Sequence, residues 1–160
     1  MSDRIPATKA GYEKLKAELN QLEHVELPKI LQRVADARAE GDLTENAEYD
    51  GARESMRMME ARIAAMRDRL SRTMIVDPSQ SPRDRVAFGA TVVVKDLDFG
   101  DREEFTLVGA GEEDYDVGKI LATSPLAQGL TGKKVGDRVE IAVPQGVLKF
   151  EIQEIRFDDV

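Results

Sequence analysis

The sequence predicts an α+β protein: a long antiparallel α-helical coiled-coil hairpin followed by a small antiparallel sheet domain with one short helix. Three observations lead to this fold class. Apolar residues recur at steps of three and four through the first half, a Pro- and Ser-rich stretch follows, and the hydrophobic period then changes to two. These changes divide the chain into a hairpin over residues 1–76, a linker over 77–84 and a globular domain over 85–160.

The first arm of the hairpin is expected to begin after Thr8, a residue type that caps helix N-termini. Gly11 is an unfavourable residue for the first helical turns. The apolar stripe of this arm has one step of five, beside Pro28. Proline removes a backbone donor and crowds the preceding turn, so we expect a kink or short break near residues 24–28. The stripe consists of Tyr12, Leu15, Leu19, Leu22, Leu27, Ile30, Val34 and Ala37.

The second arm carries a stripe with unbroken steps of four and three, the spacing of a coiled-coil seam. Neither arm can bury its stripe alone. A short connection after Gly41, a residue that favours a helix C-terminus, predicts that the arms pack as antiparallel neighbours, and we therefore expect a monomer. The stripe is Ala52, Met56, Met59, Ile63, Met66 and Leu70, and the opposite, solvent-facing side carries Arg53, Arg57, Arg62, Arg67 and Arg69.

Period-two alternation predicts four strands in the globular half, separated by turns that contain Gly and Asp. The four are residues 91–95, 104–108, 138–143 and 147–155. Ser124 followed by Pro125 is typical of a helix start, which predicts one short helix over residues 124–130. The aromatic residues of this half are expected in its core, and they are Phe88, Phe99, Phe105, Tyr115, Phe150 and Phe157.

The net charge of −8 is unevenly distributed. Residues 1–76 hold 13 basic and 14 acidic side chains, whereas residues 77–160 hold 10 basic and 17 acidic ones. Binding to duplex nucleic acid depends on neutralising phosphates, so this acidic chain is a poor candidate for such binding on its own. Its charge suits docking on a basic or divalent-metal surface of a partner.

The sequence contains no cysteine, which excludes disulfides and thiolate metal sites. No apolar run is long enough to span a bilayer, and the N-terminus lacks a signal pattern. We therefore expect a soluble, cytoplasmic protein without membrane contact.

Residues 41–49, between the two arms, are the main candidates for a functional site. Phosphate-loop and dinucleotide-binding motifs are absent, and the single histidine, His24, has no second histidine or cysteine to join it. The stretch reads G-D-L-T-E-N-A-E-Y, with carboxylates at Asp42, Glu45 and Glu48. No basic residue lies among these carboxylates, and we expect them to face solvent without a basic partner nearby.

Two interpretations of this stretch remain open from the residues alone. In the first, Asp42 or Thr44 caps the second arm and Glu45 completes a capping box. In the second, Asp42 and Glu45 provide ligands for Mg²⁺, which favours carboxylate oxygens. Two carboxylates alone bind Mg²⁺ weakly, so this second interpretation needs an ion that another macromolecule partly holds.

Several stretches also resemble one family. D-A-R-A-E-G-D-L-T-E-N-A-E-Y-D-G-A over residues 36–52 closely resembles the tip signature of bacterial transcript cleavage factors, the GreA/GreB family. The resemblance covers nearly the whole chain and is closer to the GreA branch, because the C-terminal half is acidic throughout. It includes G-Y-E-K-L-K-A-E-L at 11–19, L-P-K-I at 27–30, F-G-A-T-V at 88–92 and S-P-L-A-Q-G-L-T-G-K at 124–133.

The resemblance implies an antiparallel coiled coil joined to an FKBP-like domain that docks at the rim of the secondary channel of bacterial RNA polymerase. The coiled coil would enter that channel. Asp42 and Glu45 would then help to hold the second Mg²⁺ of the polymerase active centre, and cleavage of the nascent RNA near its 3′ end would follow. The protein would have no cofactor of its own, would share Mg²⁺ with the polymerase, and would not be an enzyme by itself.

The resemblance also assigns supporting residues and shows two departures. Asp50 stands where members commonly have His, and Gly51 stands where Ala is usual. Asp50 adds negative charge close to the tip, and Gly51 weakens the helix by up to about 1 kcal/mol against Ala. The implied tip-positioning residues are Leu43, Thr44, Asn46, Glu48 and Tyr49, and possible RNA contacts are Arg53 and Arg57.

Three alternatives compete with this interpretation. A Gre-like inhibitor would occupy the same channel without promoting cleavage, although the intact D-L-T-E at residues 42–45 argues against it. A peptidyl-prolyl isomerase or chaperone would need an apolar, aromatic-lined pocket, whereas the aromatic residues are expected in the core. A coiled-coil scaffold would self-associate.

Overall fold

The computed structural model describes residues 4–40 and 47–157. The chain divides into two compact units: Glu13–Arg72, which is helical, and a second unit that combines the N-terminal segment up to Tyr12 with the chain from Thr73 onward. The predicted α+β class, with an N-terminal helical hairpin followed by a sheet, is confirmed. The unit boundaries differ from the predicted ones because the segments on both sides of the hairpin join the unit that contains the sheet.

Three long helices form the hairpin: α1 (Lys9–Gln21), α2 (Leu27–Ala39) and α3 (Ala47–Ser71). Thr8 caps the first helix as predicted, since the N–H of Gly11 donates to its Oγ1 at 3.1 Å. The first arm also ends where the sequence predicts.

Between α1 and α2 the chain stays helical through one π-helical stretch, Leu22–Glu26. The N–H of Leu27 donates to the carbonyl of Leu22, five residues earlier. The predicted kink or break is therefore replaced by a wider helical turn. Pro28 lies in the first turn of α2, a position where a missing N–H is tolerated. The wider turn explains the five-residue step in the apolar stripe.

The apolar stripes of the two arms pack against each other as predicted. Every stripe residue is buried or half-buried. The arms run antiparallel: Glu23 of the first arm pairs with Arg67 of α3, while Arg38, near the end of α2, contacts Tyr49, near the start of α3. The central cluster consists of Leu19, Leu22 and Ile63, with Leu27, Met59, Met66 and Leu70 packed around them.

The segments that lead into and out of the hairpin pair with each other as two short parallel strands, β1 (Ile5–Ala7) and β2 (Thr73–Ile75). Sequence reasoning missed both, because three residues are too few for a period-two pattern. Ala7 is completely buried. On the other side of β1, the carbonyl of Pro6 accepts a hydrogen bond from the N–H of Ala110 at 3.0 Å. We call this pairing of β1 with β2 and with Ala110 the clasp.

Two glycines permit the close backbone approach around the clasp. A Cβ on Gly109 would lie 2.5 Å from Cα of Ala7, and one on Gly11 would lie 2.7 Å from the carbonyl oxygen of Ala110. Cβ atoms do not approach other heavy atoms so closely, so both positions need a residue without a side chain. Gly11, unfavourable for the first turns of a helix, is thus explained by a contact distant in the chain.

The predicted linker over residues 77–84 belongs to the sheet-containing unit. Asp77 caps a short 3₁₀ turn, Pro78–Gln80, and its carboxylate accepts from the N–H of Ser79 at 2.9 Å. Hydrogen bonds from the hydroxyl and the N–H of Ser79 lower the pKa of Asp77. Pro78 and Ser79, two of the residues that predicted a linker, therefore form part of a capped turn.

Five strands form the main sheet in the described part of the chain. They are β3 (Ala90–Asp96), β4 (Arg102–Val108), β5 (Lys119–Leu121), β6 (Arg138–Val143) and β7 (Gly146–Phe157). Their order across the sheet is β5-β4-β3-β7-β6. All four predicted strands are present. The fifth, β5, was missed because of its length, and it runs parallel to β4, so the prediction of a wholly antiparallel sheet is wrong at this edge.

The predicted short helix is α4 (Pro125–Leu130), and the Oγ of Ser124 caps it by accepting from the N–H of Ala127 at 3.2 Å. α4 contributes to a core that surrounds the central strand β3.

The FKBP-like classification of the sheet-containing unit stays a prediction.

The aromatic residues of the sheet-containing unit follow the prediction only in part. Phe150 is fully buried and Phe105 packs against it, with 6.0 Å between ring centroids. Phe99 and Tyr115 are 81% and 59% exposed. The expectation that the core holds all the aromatic residues is therefore wrong for these two, which lie in turns outside the strands.

We expect Gly51→Ala to stabilise the helical unit by up to about 1 kcal/mol, because alanine is the better helix former. A Cβ at Gly51 would meet no atom within 4 Å. The contrasting variant is Gly11→Ala, whose Cβ would press on the backbone of Ala110, and we expect a loss of about 1–3 kcal/mol. Urea unfolding followed by helical circular dichroism measures both, and a Gly51→Ala protein no more stable than wild type would contradict the prediction.

Candidate functional site

Of the stretch predicted to carry function, residues 41–49, the structure describes only Ala47, Glu48 and Tyr49. α2 ends at Ala39 and α3 begins at Ala47, so Asp42 and Glu45 belong to the connection between two antiparallel helices. Residues of this connection that lie outside the described part of the chain are Gly41, Asp42, Leu43, Thr44, Glu45 and Asn46. The predicted site residues that the structure describes are Glu48, Tyr49, Arg53 and Arg57.

Tyr49 links the two arms directly behind this connection. Its side chain is buried, and its phenol oxygen accepts a hydrogen bond from Nη2 of Arg38 at 3.2 Å. The guanidinium carbons of Arg38 and Arg53 lie 5.8 and 5.6 Å from the centre of the Tyr49 ring, within the range of cation–π attraction. Arg38 comes from the first arm and Arg53 from the second. One aromatic ring therefore gathers positive charge from both arms, and we call these three residues the Tyr49 cluster.

The electrostatics of the Tyr49 cluster follow from these contacts. The hydrogen bond from Arg38 lowers the pKa of Tyr49, and the positive charges of Arg38 and Arg53 act in the same direction, while desolvation of the phenol opposes them. The same hydrogen bond raises the pKa of Arg38. The phenol oxygen is thus polarised towards negative charge by two guanidinium groups.

Glu48 has a basic partner, which corrects the expectation that the tip carboxylates have none. Its Oε1 lies 3.3 Å from Nη2 of Arg33. Both side chains are largely exposed, and ion pairs of this kind contribute about 0–1 kcal/mol. Sequence reasoning missed Arg33 because it lies fifteen residues away on the other arm. Aligning the two apolar stripes in antiparallel register would have predicted the pairing of Arg33 with Glu48.

The two predicted RNA contacts differ in their surroundings. Arg57 is held by Glu54, with Nη2 and Nε at 2.8 and 3.2 Å from the same carboxylate oxygen. Arg53 lies against the Tyr49 ring, which attracts the cation without neutralising its charge. Arg38 was given no role from the sequence, although it lies within the motif over residues 36–52. The structure brings it together with Arg53.

The described residues offer few candidates for other kinds of functional site. No group of three or more His, Cys, Asp or Glu side chains in residues 4–40 and 47–157 is arranged to hold a metal ion. The Nδ1 of His24 hydrogen-bonds with the carbonyl of Asn20 at 3.1 Å. None of the helices in this part of the chain combines the length and the apolar character needed to cross a bilayer. The connection between α2 and α3, with the side chains just behind it, is therefore the candidate site.

We expect Tyr49 to ionise at a lower pH than an ordinary tyrosine. Because its folded pKa lies below the unfolded value, ionisation stabilises the fold as the pH rises through the folded pKa, and the contribution is absent at lower pH, where both states are protonated. Ultraviolet absorbance of tyrosinate during an alkaline titration measures this, with Tyr49→Phe to assign the signal. Arg38→Ala should return the pKa towards the ordinary value, and an unchanged titration in that variant would refute the cause given.

Comparison with known families gives matches over both halves of the chain. Residues 5–75 match the model of the N-terminal domain of the GreA/GreB transcription elongation factors, and residues 80–157 match the model of their C-terminal domain. Together the two matches cover nearly the whole chain.

Two relatives named GreA match over nearly the full length of both chains. The chain is 48% identical to transcription elongation factor GreA of Thermodesulfovibrio yellowstonii, covering 99% of this chain and all of that protein. It is 46% identical to GreA of Nautilia profundicola, over 97% and 96% of the two chains. Among solved structures, the GreA factor homolog Gfh1 of Thermus thermophilus shares 26% identity, with 96% of this chain and 99% of that chain covered and a TM-score of 0.45. From the two domain matches and the full-length similarity, the chain belongs to the GreA/GreB family of transcription elongation factors.

Proposed function

We propose that this protein enters the secondary channel of bacterial RNA polymerase and stimulates the polymerase's own endonucleolytic cleavage of nascent RNA in backtracked complexes. The observation that carries the proposal is the position of Asp42 and Glu45. They occupy the connection between two antiparallel helices, in a chain whose two halves both match the family. Two carboxylates between paired antiparallel helices suit delivery into a narrow channel. Helix capping alone explains their position less well.

The two carboxylates act by lending oxygen ligands to a metal that the polymerase supplies. Mg²⁺ favours carboxylate oxygens and is commonly held by one or two of them together with water. A second Mg²⁺ in such a centre lowers the pKa of a bound water and stabilises charge on the attacked phosphodiester. Asp42 and Glu45 would hold it directly or through water, and one of them would orient the attacking water. The factor is then not an enzyme by itself and has no cofactor of its own.

The side chains behind the acidic pair support this role. The Tyr49 cluster places two guanidinium groups, from Arg38 and Arg53, next to the connection, where they would attract RNA phosphates. Glu48, paired with Arg33, takes a positioning role. Leu43 would pack against the polymerase, and Thr44 and Asn46 would orient the acidic pair.

The remaining parts of the chain fit the same proposal. The sheet-containing unit, which we take to be FKBP-like, would dock at the rim of the channel. A monomer suffices, because the two arms bury each other's stripes. Asp50 and Gly51, which depart from the family pattern, leave both Asp42 and Glu45 in place.

Asp42→Asn and Glu45→Gln are each expected to reduce RNA cleavage by roughly two orders of magnitude, the usual loss when one group that stabilises transition-state charge is removed. Binding to polymerase should remain, since each change keeps the side-chain size. The measurement is cleavage of labelled RNA in stalled, backtracked complexes. Glu60→Gln, which removes one exposed carboxylate of α3 outside the connection, is the matched control and should cleave like wild type.

Two results would contradict the cleavage proposal. Wild-type protein that binds polymerase and only inhibits synthesis would identify a Gre-like inhibitor. Turnover in a proline-isomerisation assay, with cleavage unaffected by the two tip variants, would identify an isomerase or chaperone.

Arg53→Ala is expected to weaken binding to backtracked complexes and to reduce the slope of log affinity against log salt by about 0.7, as for one lost contact to a single-stranded phosphate. Arg57→Ala should leave the slope near the wild-type value, because Glu54 already pairs with that guanidinium. Arg53→Lys keeps the charge and should keep the slope. Equal slopes for Arg53→Ala and wild type would exclude a phosphate contact.

A further inference from the structure

The seam between the two arms changes character next to the connection between α2 and α3. Away from the connection most members of the two stripes are Leu, Ile, Val or Met, whereas the buried members close to it are small, Ala37 on the first arm and Ala52 on the second. Tyr49, three residues before Ala52, is the one aromatic residue of α3 and is only 8% exposed. The two small residues leave room for its ring between the arms.

A hydrogen bond from the first arm holds the hydroxyl end of this ring. Nη2 of Arg38 donates to the phenol oxygen of Tyr49 at 3.2 Å, across a separation of eleven residues that includes the whole connection. A contact that closes a loop restricts the freedom of the two loop ends. The bond between Arg38 and Tyr49 therefore limits how far the end of α2 and the start of α3 can separate.

A second contact crosses between the arms nearby, and it is the weaker of the two. Oε1 of Glu48 lies 3.3 Å from Nη2 of Arg33, and both side chains are largely exposed. Exposed ion pairs contribute little to stability, whereas a hydrogen bond from a charged donor to a buried acceptor contributes more. The spacing of the arms next to the connection therefore depends more on Arg38 and Tyr49 than on Arg33 and Glu48.

The charges around Tyr49 indicate that the contact serves more than stability. Arg38 and Arg53 approach the same ring, with guanidinium carbons 5.8 and 5.6 Å from its centre. Two like charges so close to each other repel, and the attraction of each cation to the ring offsets that repulsion. Apolar side chains in place of the two arginines would join the arms without any repulsion. A contribution of Arg38 to function therefore explains the arrangement better than stability does.

We propose that Arg38 is a positioning residue for RNA cleavage: by holding the Tyr49 hydroxyl, it fixes the spacing of the helix ends between which the acidic pair lies. This inference rests on the proposed function, and it gives Arg38 a role beyond its charge. Groups that act on a reaction must be held within about 0.5 Å of the productive geometry. At a wrong spacing of the helix ends, Asp42 and Glu45 serve the shared Mg²⁺ less well.

The first measurement needs no polymerase. Because the chain has no cysteine, Ala39→Cys together with Ala47→Cys, both at exposed positions, places two spin labels at the helix ends. Pulsed electron double resonance then gives the distribution of distances between the labels. Adding Tyr49→Phe keeps the ring and both guanidinium groups but removes the oxygen that accepts the bond, and it should broaden this distribution. Tyr12→Phe, the matched control, makes the same chemical change in α1 and should leave the distribution unchanged.

The second measurement is RNA cleavage by stalled, backtracked polymerase at saturating, unlabelled protein. Tyr49→Phe and Arg38→Ala should each slow cleavage about ten-fold, since small displacements of a reacting group carry losses of this order. Both should also raise the Mg²⁺ concentration that gives half-maximal cleavage. The double variant should be little slower than either single one, because both changes break the same bond. Tyr12→Phe should match wild type in the cleavage rate and in its Mg²⁺ dependence.

Three outcomes would overturn the positioning role. If Arg38 acts only by attracting RNA phosphates, Arg38→Ala slows cleavage while Tyr49→Phe, which keeps both charges, cleaves like wild type. A distance distribution that Tyr49→Phe leaves unchanged would show that the bond does not fix the helix ends. A broader distribution together with the wild-type dependence of cleavage on Mg²⁺ would limit the bond to a purely structural role.

These failures are distinguishable from failure of the proposed function. If Asp42→Asn abolishes cleavage while Tyr49→Phe cleaves like wild type, the function stands and the positioning role is wrong. If the wild-type protein does not stimulate cleavage, both are wrong, whatever Tyr49→Phe does to the distances between the labels.

Discussion

The clasp is the constraint on which the rest of the fold depends. Two parallel strands cannot be joined by a tight turn and need a long crossover, and here the crossover from β1 to β2 is the entire helical hairpin. Their pairing brings the start of α1 and the end of α3 side by side, so the arms must return antiparallel. Ala7 is completely buried, and the missing side chain of Gly109 permits the close backbone approach beside it.

Along the arms, the two apolar stripes pack against each other. The π-helical stretch at Leu22–Glu26 accommodates the extra residue in the first stripe, and the stripes stay in contact on both sides of it. Tyr49 then joins the arms again, with Arg38 from one and Arg53 from the other. The Tyr49 cluster therefore gathers positive charge from both arms close to the connection between α2 and α3.

The acidity of the C-terminal half has a structural counterpart. Three of its acidic residues lie in turns where the Asp side chain accepts from the backbone, at Asp77, Asp96 and Asp114. Part of the charge thus helps to shape turns of the sheet-containing unit.

Properties that depend on neighbours in the chain were determined by the sequence alone: the helix ends, the apolar stripes, four strands, the Ser124 cap and the family motif around Asp42 and Glu45. Hydrophobic period, capping and turn chemistry act over a few residues, so spacing reveals them. Only the tertiary structure decided the clasp, the parallel strand β5, the need for Gly11, the partners Arg33 and Arg38, and the exposure of Phe99. Each depends on residues distant in sequence that meet only when the chain has folded, and no local pattern specifies which atoms will meet.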